Sequence, residues 1–351
     1  MKSRYCLFGC LCVVCIALFH TPQATSKTVT LTFATNALPD YLRGKAEQSF
    51  LKEIENQTKG ELSFISHFDS ALLKGEEILG GVGSGTVDLG HVNIAYYPKR
   101  LIINSAVYLI QRGPTQYDNI VWVYDRLYNE LPMLKEEFAK FNQKIVYTYP
   151  VLPTAVCFTQ PVKRFADFRG KRIRSASRWS LEIMKGMGVV PISSPNHLNY
   201  PGLKSNAIEG VLTRYGGIYI GKLDEVAKHI FIARELWTPI PYHITINLNT
   251  WNQFPESLQK KIETAAAVAR NKFRSEYSKW FEWYLDDQKK RGCTIVFADK
   301  DDIDFWTGLP EVDRIKEQWI AEAKAMGVDN ADRILSTIVE IVHKGIGRDQ
   351  Q

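Results

Sequence analysis

Four cationic side chains lie within ten residues in the segment GKRIRSASRW (170–179): Lys171, Arg172, Arg174 and Arg178. Such a cluster can bind nucleic acid, a membrane surface or a small anion, and it can equally be a solvated surface. A guanidinium suits a carboxylate because it donates two parallel hydrogen bonds and keeps its charge. On a strand Arg172 and Arg174 point to the same side, so alternation alone does not name the ligand partner.

The overall charge of the chain argues against nucleic acid. The net charge is +6, and removal of an amino-terminal segment that contains Lys2 and Arg4 leaves +4, with Asp and Glu spread throughout. A nucleic-acid-binding face is usually much more basic. We therefore expect no nucleic-acid partner.

Motifs that would indicate catalysis or metal binding are incomplete. The glycines of GGVGSG (80–85) have no Lys-Ser/Thr pair after them, so the segment predicts a turn and not a phosphate loop. The run DKDDID (299–304) places Asp304 where a calcium-binding loop requires glycine. The histidines show no H-x-x-x-H spacing, and no GxSxG motif is present. The sequence predicts a protein that is not an enzyme and has no cofactor and no metal site.

The amino terminus is typical of a cleaved export signal over 1–26. Two basic residues precede an apolar run of 14 residues (6–19), and small residues near 24–26 suit cleavage. The run is shorter than the ~20 residues of a membrane-spanning helix. We expect a soluble periplasmic protein in which only Cys157 and Cys293 remain, so no disulfide framework is expected.

Strand and helix patterns alternate along the chain and predict an α/β fold with a mostly parallel sheet. A helix over 40–58 buries one apolar face, and a second helical pattern over 256–292 is too long for the face of one domain. Its length predicts a bent helix that packs across two lobes. Strands are predicted at 28–35, 61–68, 87–93, 144–151, 172–175, 208–212 and 244–249.

Six segments occur in an order that resembles a known family: LTFATN, GTVDLGHVNIAYYP, FADFRGKRIRSAS, NAIEGVLTRYGGIY, LNTWNQFPESLQKKIETAAAVA and KEQWIAEAKAMG. The chain resembles the solute-binding proteins of tripartite ATP-independent periplasmic (TRAP) transporters, the DctP-type family. The resemblance implies a two-lobed periplasmic-binding-protein-like fold with a long bent helix spanning both lobes. The implied parts are a first lobe over 27–151, completed by about 241–280, a second lobe over 152–240, completed by part of the carboxyl-terminal region, and helices over 281–351 that pack across both.

The resemblance also implies a function. A small organic acid would bind in the cleft between the lobes of a monomeric receptor, which would deliver it to the membrane subunits of a TRAP permease. Two alternatives stay open: a receptor that docks to a membrane sensor, and a periplasmic enzyme that uses His91 or His197 as a base on a small acid.

Site residues follow from matched positions. The resemblance assigns the ligand carboxylate to Arg174, whereas Lys171, Arg172 and Arg178 are expected to be solvated or lobe-pairing charges. Further contacts are expected from the loops after the first and third strands and from an acidic position near the cleft: Asn36, Glu77, Asn93, Tyr96 and Tyr97.

Departures from the family pattern predict the kind of ligand. Where many relatives have a second arginine in the first strand of the second lobe, this chain has TAVCFTQ with Val156 or a neighbour. A usually polar segment reads EGVLTRYG, in which Val211, Leu212 and Thr213 replace a polar trio, and Tyr215 is a further expected contact. A buried polar group without a partner costs about 1–3 kcal/mol, so this pocket predicts a monocarboxylate with an apolar or aromatic part. Arg214 would readmit diacids if its side chain turned inward.

Overall fold

The computed structural model describes residues 28–236 and 240–351, and the predicted signal peptide lies outside them. The strands are β1 (Val29–Ala34), β2 (Leu62–His67), β3 (Leu89–Val92), β4 (Gln143–Tyr149), β5 (Thr154–Phe158), β6 (Arg172–Ser175), β7 (Val190–Ser193), β8 (Gly210–Arg214), β9 (His229–Ala233), β10 (Tyr242–Asn247) and β11 (Thr294–Phe297). The helices are α1 (Leu42–Gln57), α2 (Ile78–Ser84), α3 (Ile102–Ser105), α4 (Tyr117–Glu130), α5 (Met133–Ala139), α6 (Arg178–Gly186), α7 (Asn199–Lys204), α8 (Tyr215–Ile220), α9 (Leu248–Asn252), α10 (Glu256–Lys290), α11 (Lys300–Thr307), α12 (Pro310–Ala325) and α13 (Ala331–Arg348).

The strands form two sheets, each the centre of one α/β lobe. The first sheet has the order β2-β1-β3-β10-β4, and the second has the order β11-β9-β5-β8-β6-β7. In the first sheet β10 runs antiparallel to both of its neighbours, and in the second sheet β5 does the same. These are the strands by which the chain enters each sheet from the other one. The prediction of a mostly parallel sheet is therefore corrected to two mixed sheets.

The predicted strand positions agree closely with the observed ones, and the strand over 172–175 agrees at both ends. Four strands were not predicted from periodicity: β5, β7, β9 and β11. They are only four or five residues long. A strand this short shows too few alternations to be distinguished from a loop or a buried helical segment.

The long helix α10 joins the lobes. Pro255 caps its start, and Gly292, with φ +80°, follows its end. The helix contacts α1, β4 and α4 of the first lobe and α8 and β11 of the second. Near its middle the Tyr277 hydroxyl donates a 3.0 Å hydrogen bond to the Val151 carbonyl, in the segment that crosses from β4 to β5.

Helix α12 forms a second connection between the lobes. The indole Nε1 of Trp319 donates to the Ile102 carbonyl at 3.0 Å and to Ser105 Oγ at 3.1 Å, both in the first lobe. One turn further on, Glu322 accepts two hydrogen bonds from Arg178 at the start of α6, in the second lobe. The helix therefore contacts both lobes beside the opening of the cleft between the sheets.

Candidate functional site in the cleft between the sheets

The cleft lies where strand ends from both sheets meet. Asn93 directly follows β3, and Arg174 and Arg214 occupy the carboxyl-terminal ends of β6 and β8. The two crossing strands contribute their first residues, Thr154 of β5 and Tyr242 of β10. Ligands of open α/β sheets generally bind beyond the carboxyl ends of the strands, so the topology alone makes this cleft the candidate site.

The cleft has two connected compartments of about 320 and 300 Å³. Five residues line both: Asn93, Asn196, Thr213, Arg214 and Tyr242. We call the first the arginine compartment, which is lined by Arg174, the first turn of α6, Tyr108, Leu212 and Ile240. We call the second the aromatic compartment, which is lined by Arg43, Asn36, Tyr41, Tyr96, Tyr149, Phe273 and Tyr284.

Arg174 is the principal cation of the arginine compartment. The residue is only 2% exposed, and its Nε donates a 2.8 Å hydrogen bond to the Ser194 carbonyl, which Nη2 also contacts. Burial lowers the pKa of the guanidinium, and no carboxylate of residues 28–236 or 240–351 forms an ion pair with it. An arginine stays protonated under such conditions. The wall therefore holds a positive charge that the described protein residues do not neutralise.

The start of α6 lies beside Arg174. Ser177 caps this helix and accepts a 3.3 Å hydrogen bond from the Ser180 amide, while Ser175 Oγ accepts from the Ser177 amide at 3.1 Å. Amide groups at the start of a helix have no intrahelical acceptor and favour nearby negative charge. The hydroxyls, the helix end and the guanidinium all favour an anion in the same place.

The other two arginines of the opening cluster have protein partners. Arg178 forms a two-pronged ion pair with Glu322, and its guanidinium carbon lies 3.7 Å from the centre of the Trp179 ring. Arg172 donates to the carbonyls of residues 206 and 207 and lies 3.3 Å from a carboxylate oxygen of Glu209. Their charges are compensated, in contrast to Arg174.

Arg214 and Thr213 lie where the compartments meet. One terminal nitrogen of Arg214, Nη1, donates a 2.9 Å hydrogen bond to the hydroxyl of Thr154 on the adjacent strand. Thr213 is half-buried, and Leu212, 9% exposed, contributes an apolar surface to the arginine compartment. The side chain of Arg214 thus reaches the cleft.

A polar chain crosses the wall of the aromatic compartment. Arg43 Nη2 donates to Asn36 Oδ1 at 2.6 Å, and Asn36 Nδ2 donates to the Tyr96 hydroxyl at 3.3 Å. The guanidinium carbon of Arg43 lies 5.6 Å from the centre of the Tyr242 ring, a distance at which a cation is attracted to the ring face.

A buried polar cluster supports this wall from behind. The Tyr149 hydroxyl donates to Glu47 Oε1 at 2.6 Å, and His91 Nδ1 lies 3.3 Å from the same oxygen. Burial raises the pKa of Glu47 and lowers that of His91 well below its ordinary value. His91 is fully buried and does not line the cleft, whereas His197 is exposed.

Seven of the predicted contacts line the cleft: Asn36, Asn93, Tyr96, Arg174, Leu212, Thr213 and Arg214. Four others lie elsewhere. Val156 and Tyr215 are buried in the hydrophobic cores, where Tyr215 donates to Gln288. Tyr97 is also buried and donates to the Gly75 carbonyl, while Glu77 is exposed and accepts from the Lys74 amide. Core packing and local capping explain these four side chains, so we remove them from the site.

Several lining residues were not predicted from the sequence, chiefly Arg43, Tyr108, Trp179 and Tyr242. Tyr242 is the first residue of a strand that was predicted to start two residues later. Because the predicted strand began at residue 244, Tyr242 was not recognised as a residue at the end of a strand. Arg43 follows the ATNALP loop by a few residues and lies in the first turn of the next helix. A cation at that place, beside a loop expected to contact the ligand, was the one signal by which Arg43 could have been predicted. Tyr108 had no signal because it lies in the apolar run AVYLI (106–110), and Trp179 had none because a single tryptophan between Arg178 and Ser180 has no spacing that indicates a ligand contact.

The charge of the lining is one-sided. Four arginines line the two compartments, Arg43, Arg174, Arg178 and Arg214, whereas no Asp or Glu of the described residues does. The same part of the chain contains no group of three or more His, Cys, Asp or Glu side chains placed to hold a metal ion. It also contains no helix that is long and apolar enough to cross a membrane. The cleft is built to attract an anion.

Two α/β lobes with two strand crossings and a ligand-sized cleft at the strand ends define the class of two-lobed solute-binding proteins. Residues 33–318 match the DctP family, described as bacterial extracellular solute-binding protein, family 7. The chain belongs to this family, whose members are the solute-binding proteins of TRAP transporters.

Individual relatives are distant. A monocarboxylate 2-oxoacid-binding periplasmic protein of Nostoc sp. is 22% identical over 241 residues, which are 66% of this chain and 63% of that protein. The 2,3-diketo-L-gulonate-binding periplasmic protein of Escherichia coli is 21% identical over 300 residues, covering 84% of this chain and 88% of that protein. Among solved structures, the periplasmic ectoine-binding protein of the TeaABC TRAP transporter of Halomonas elongata superposes with a TM-score of 0.77 at 17% identity, covering 90% and 100% of the two chains.

Proposed function

We propose that the protein is the periplasmic receptor of a TRAP transporter for a small organic acid that has one carboxylate and an apolar or aromatic body. The observation that carries this proposal is the buried charge of Arg174, which forms no ion pair with the described residues, in a cleft that the described acidic residues do not line. An ion buried without a partner is unfavourable, so an anionic ligand stabilises the site that receives it.

The ligand carboxylate would contact Arg174 and the start of α6. Its body would extend past Thr213 and Tyr242 toward the aromatic compartment, where rings provide apolar surface and hydroxyls provide a few oriented polar contacts. The relatives support one carboxylate, since a monocarboxylate 2-oxoacid, 2,3-diketo-L-gulonate and ectoine each carry a single carboxyl group.

The transport cycle follows from the two connections between the lobes. Ligand would bring the lobes together by bending at the β4–β5 crossing and within α10, with each lobe internally rigid. The closed monomer would then present the ligand to the membrane subunits of the permease, after removal of the signal peptide near residues 24–26.

Native mass spectrometry of protein purified without denaturation tests this proposal first, because it detects a retained endogenous ligand. A thermal-shift screen of monocarboxylates then follows, since a ligand at a hundred times its dissociation constant stabilises the folded state by about 2.7 kcal/mol. We expect aromatic or apolar monocarboxylates to rank above sugar acids and short dicarboxylates. A ranking in which neutral solutes bind and acids do not would overturn the proposal.

A further inference from the structure

We propose that Arg43 is a specificity-determining residue that binds an oxygen acceptor at the end of the ligand opposite its carboxylate. This inference rests on the proposed function and names a further feature of the substrate: an elongated monocarboxylate with a carbonyl or carboxamide oxygen at its far end. The shared chemistry is an oxygen that accepts hydrogen bonds from a guanidinium.

The position of Arg43 is the first argument. Arg43 lines only the aromatic compartment, and Arg174 lines only the arginine compartment. A ligand held by Arg174 therefore meets Arg43 only if its body passes the shared boundary at Thr213 and Tyr242. The Arg43 side chain is 22% exposed, so it is accessible from the cleft.

The second argument is the hydrogen bonding of Arg43. Its only bond under 3 Å among the described residues goes to a neutral acceptor, Asn36 Oδ1. Its carboxylate neighbour Glu47 lies 3.7 Å from Nε, beyond hydrogen-bond distance. The nearer oxygen of Glu47 already accepts from Tyr149, and burial raises the pKa of this carboxyl group. A guanidinium has five donors, so Arg43 retains capacity for a ligand oxygen.

The third argument is that neighbouring residues hold Arg43 in place. Asn36 accepts a hydrogen bond from Arg43 and donates another to the Tyr96 hydroxyl, while the Tyr242 ring lies beside the Arg43 guanidinium. Gly75 permits this arrangement, because a Cβ atom there would lie 2.6 Å from the Tyr96 ring and 2.8 Å from Asn36 Nδ2. A side chain fixed by its neighbours before binding loses less entropy when the ligand arrives.

Calorimetry with straight-chain acids of increasing length tests the inference. Each length is supplied as the monocarboxylate, the ω-carboxamide and the dicarboxylate, and each is titrated into the wild type, Arg43→Met, Arg43→Lys and the control Arg172→Met. Arg172 is an arginine that binds backbone carbonyls outside the cleft. We expect a length at which an ω-oxygen improves affinity about tenfold over the monocarboxylate, in line with ~1.4 kcal/mol for a charge-assisted hydrogen bond.

The variants then decide the role of Arg43. The ratio compared is the affinity for the acid with an ω-oxygen divided by the affinity for the monocarboxylate of the same length. In Arg43→Met this ratio should fall close to one, and in Arg43→Lys it should fall partly because lysine lacks the forked donors of a guanidinium. In Arg172→Met the ratio should stay as in the wild type. A gain for the carboxamide identifies the neutral far end that the inference expects, whereas a gain for the dicarboxylate alone would overturn the single carboxylate of the proposed function. The absence of any favoured length, or an unchanged ratio in both Arg43 variants, overturns the inference.

Arg174→Ala separates this inference from the proposed function. If Arg174→Ala weakens every acid of the series while the Arg43 variants leave the ratio unchanged, the receptor function stands and the role of Arg43 is wrong. If Arg174→Ala leaves the monocarboxylates unaffected, the proposed function itself fails. Thermal unfolding of each variant shows whether it is folded before it is titrated, and Arg43→Lys provides the ratio if Arg43→Met does not fold.

Discussion

Arg174 lines only the arginine compartment of the cleft, and Arg43 lines only the aromatic compartment. The two arginines differ in their surroundings. Arg174 is almost fully buried and contacts a backbone carbonyl, without an ion pair to the described residues. Arg43 is more exposed, lies near Glu47 and is held by Asn36. Residue type alone therefore does not set the role of a cation. Burial and compensation do, because a desolvated charge without a partner gains most from an anionic ligand.

The comparison predicts that the largest loss of affinity follows truncation of Arg174. In Arg174→Ala the ligand carboxylate would be unpaired in a closed cleft, which typically costs about 2–5 kcal/mol, or roughly 30-fold to several-thousand-fold. Arg174→Lys should recover only part, because lysine keeps the charge but lacks the fork. Isothermal titration calorimetry with the ligand identified by mass spectrometry measures both.

The controls for this prediction are the other arginines. Arg172→Ala and Arg178→Ala should each cost less than ~1 kcal/mol of binding, because their charges are paired within the protein. If Arg174→Ala kept full affinity for the ligand and Arg214→Ala lost it, the ligand carboxylate would bind Arg214 at the boundary of the compartments. The assignment of the carboxylate to Arg174 would then be wrong.

His91, in the wall behind the aromatic compartment, should make the folded state acid-sensitive, and Glu47 in the same wall should offset part of this effect because its pKa is raised. His91 is buried in a setting that lowers its pKa well below 6.5, so as pH falls below 6.5 the unfolded chain takes up a proton that the folded chain does not. The free energy of unfolding should therefore decrease by up to ~1.4 kcal/mol per pH unit for this group. His243, with its pKa lowered to about 3 by burial, adds to the same loss.

Urea unfolding between pH 7 and pH 5 measures this effect in the wild type and in His91→Asn. We expect the variant to be less stable at pH 7 but to show a shallower pH dependence. If the free energy of unfolding changed with pH equally in the variant and the wild type, His91 would not be the neutral, buried group that this prediction requires.

Thr213→Asn should change selectivity at the boundary between the compartments. The larger amide adds hydrogen-bonding capacity where a predominantly apolar ligand would pass, so we expect the native ligand to lose about 1 kcal/mol while hydroxylated acids gain relative to it. A competition screen ranks the acids for wild type and variant. An unchanged ranking would mean that Thr213 does not contact the ligand.

The smallest effect is expected for Tyr96→Phe in the aromatic compartment. Tyr96 is 38% exposed, and its hydroxyl accepts from Asn36 at 3.3 Å. Loss of one exposed hydrogen bond should weaken binding by less than ~1 kcal/mol and leave the unfolding temperature nearly unchanged. A loss as large as that of Arg174→Ala, measured by the same calorimetry, would place the main ligand contact in this compartment.

Features defined by local spacing were predicted best from the sequence. The helix over 256–292 and the strand over 172–175 were predicted nearly to the residue. Side chains whose environment is set by distant segments were predicted least well. Tyr215 was predicted to line the pocket because it lies in a matched segment, and Val156 because it stands where the resemblance places a ligand-binding arginine, yet the side chains of both pack into a core.

The sequence by itself determined the α/β alternation, the two-lobed family and the strand that carries Arg174, because periodicity and ordered motifs are local properties of the chain. Only the tertiary structure decided which cations remain uncompensated. Arg178 meets Glu322, which is 144 residues away, and Arg43 reaches the Tyr242 ring from a different segment. Charge compensation depends on such distant partners and on burial, and neither is encoded in the spacing of one segment. The division of the cleft into the arginine compartment and the aromatic compartment is therefore a property of the fold.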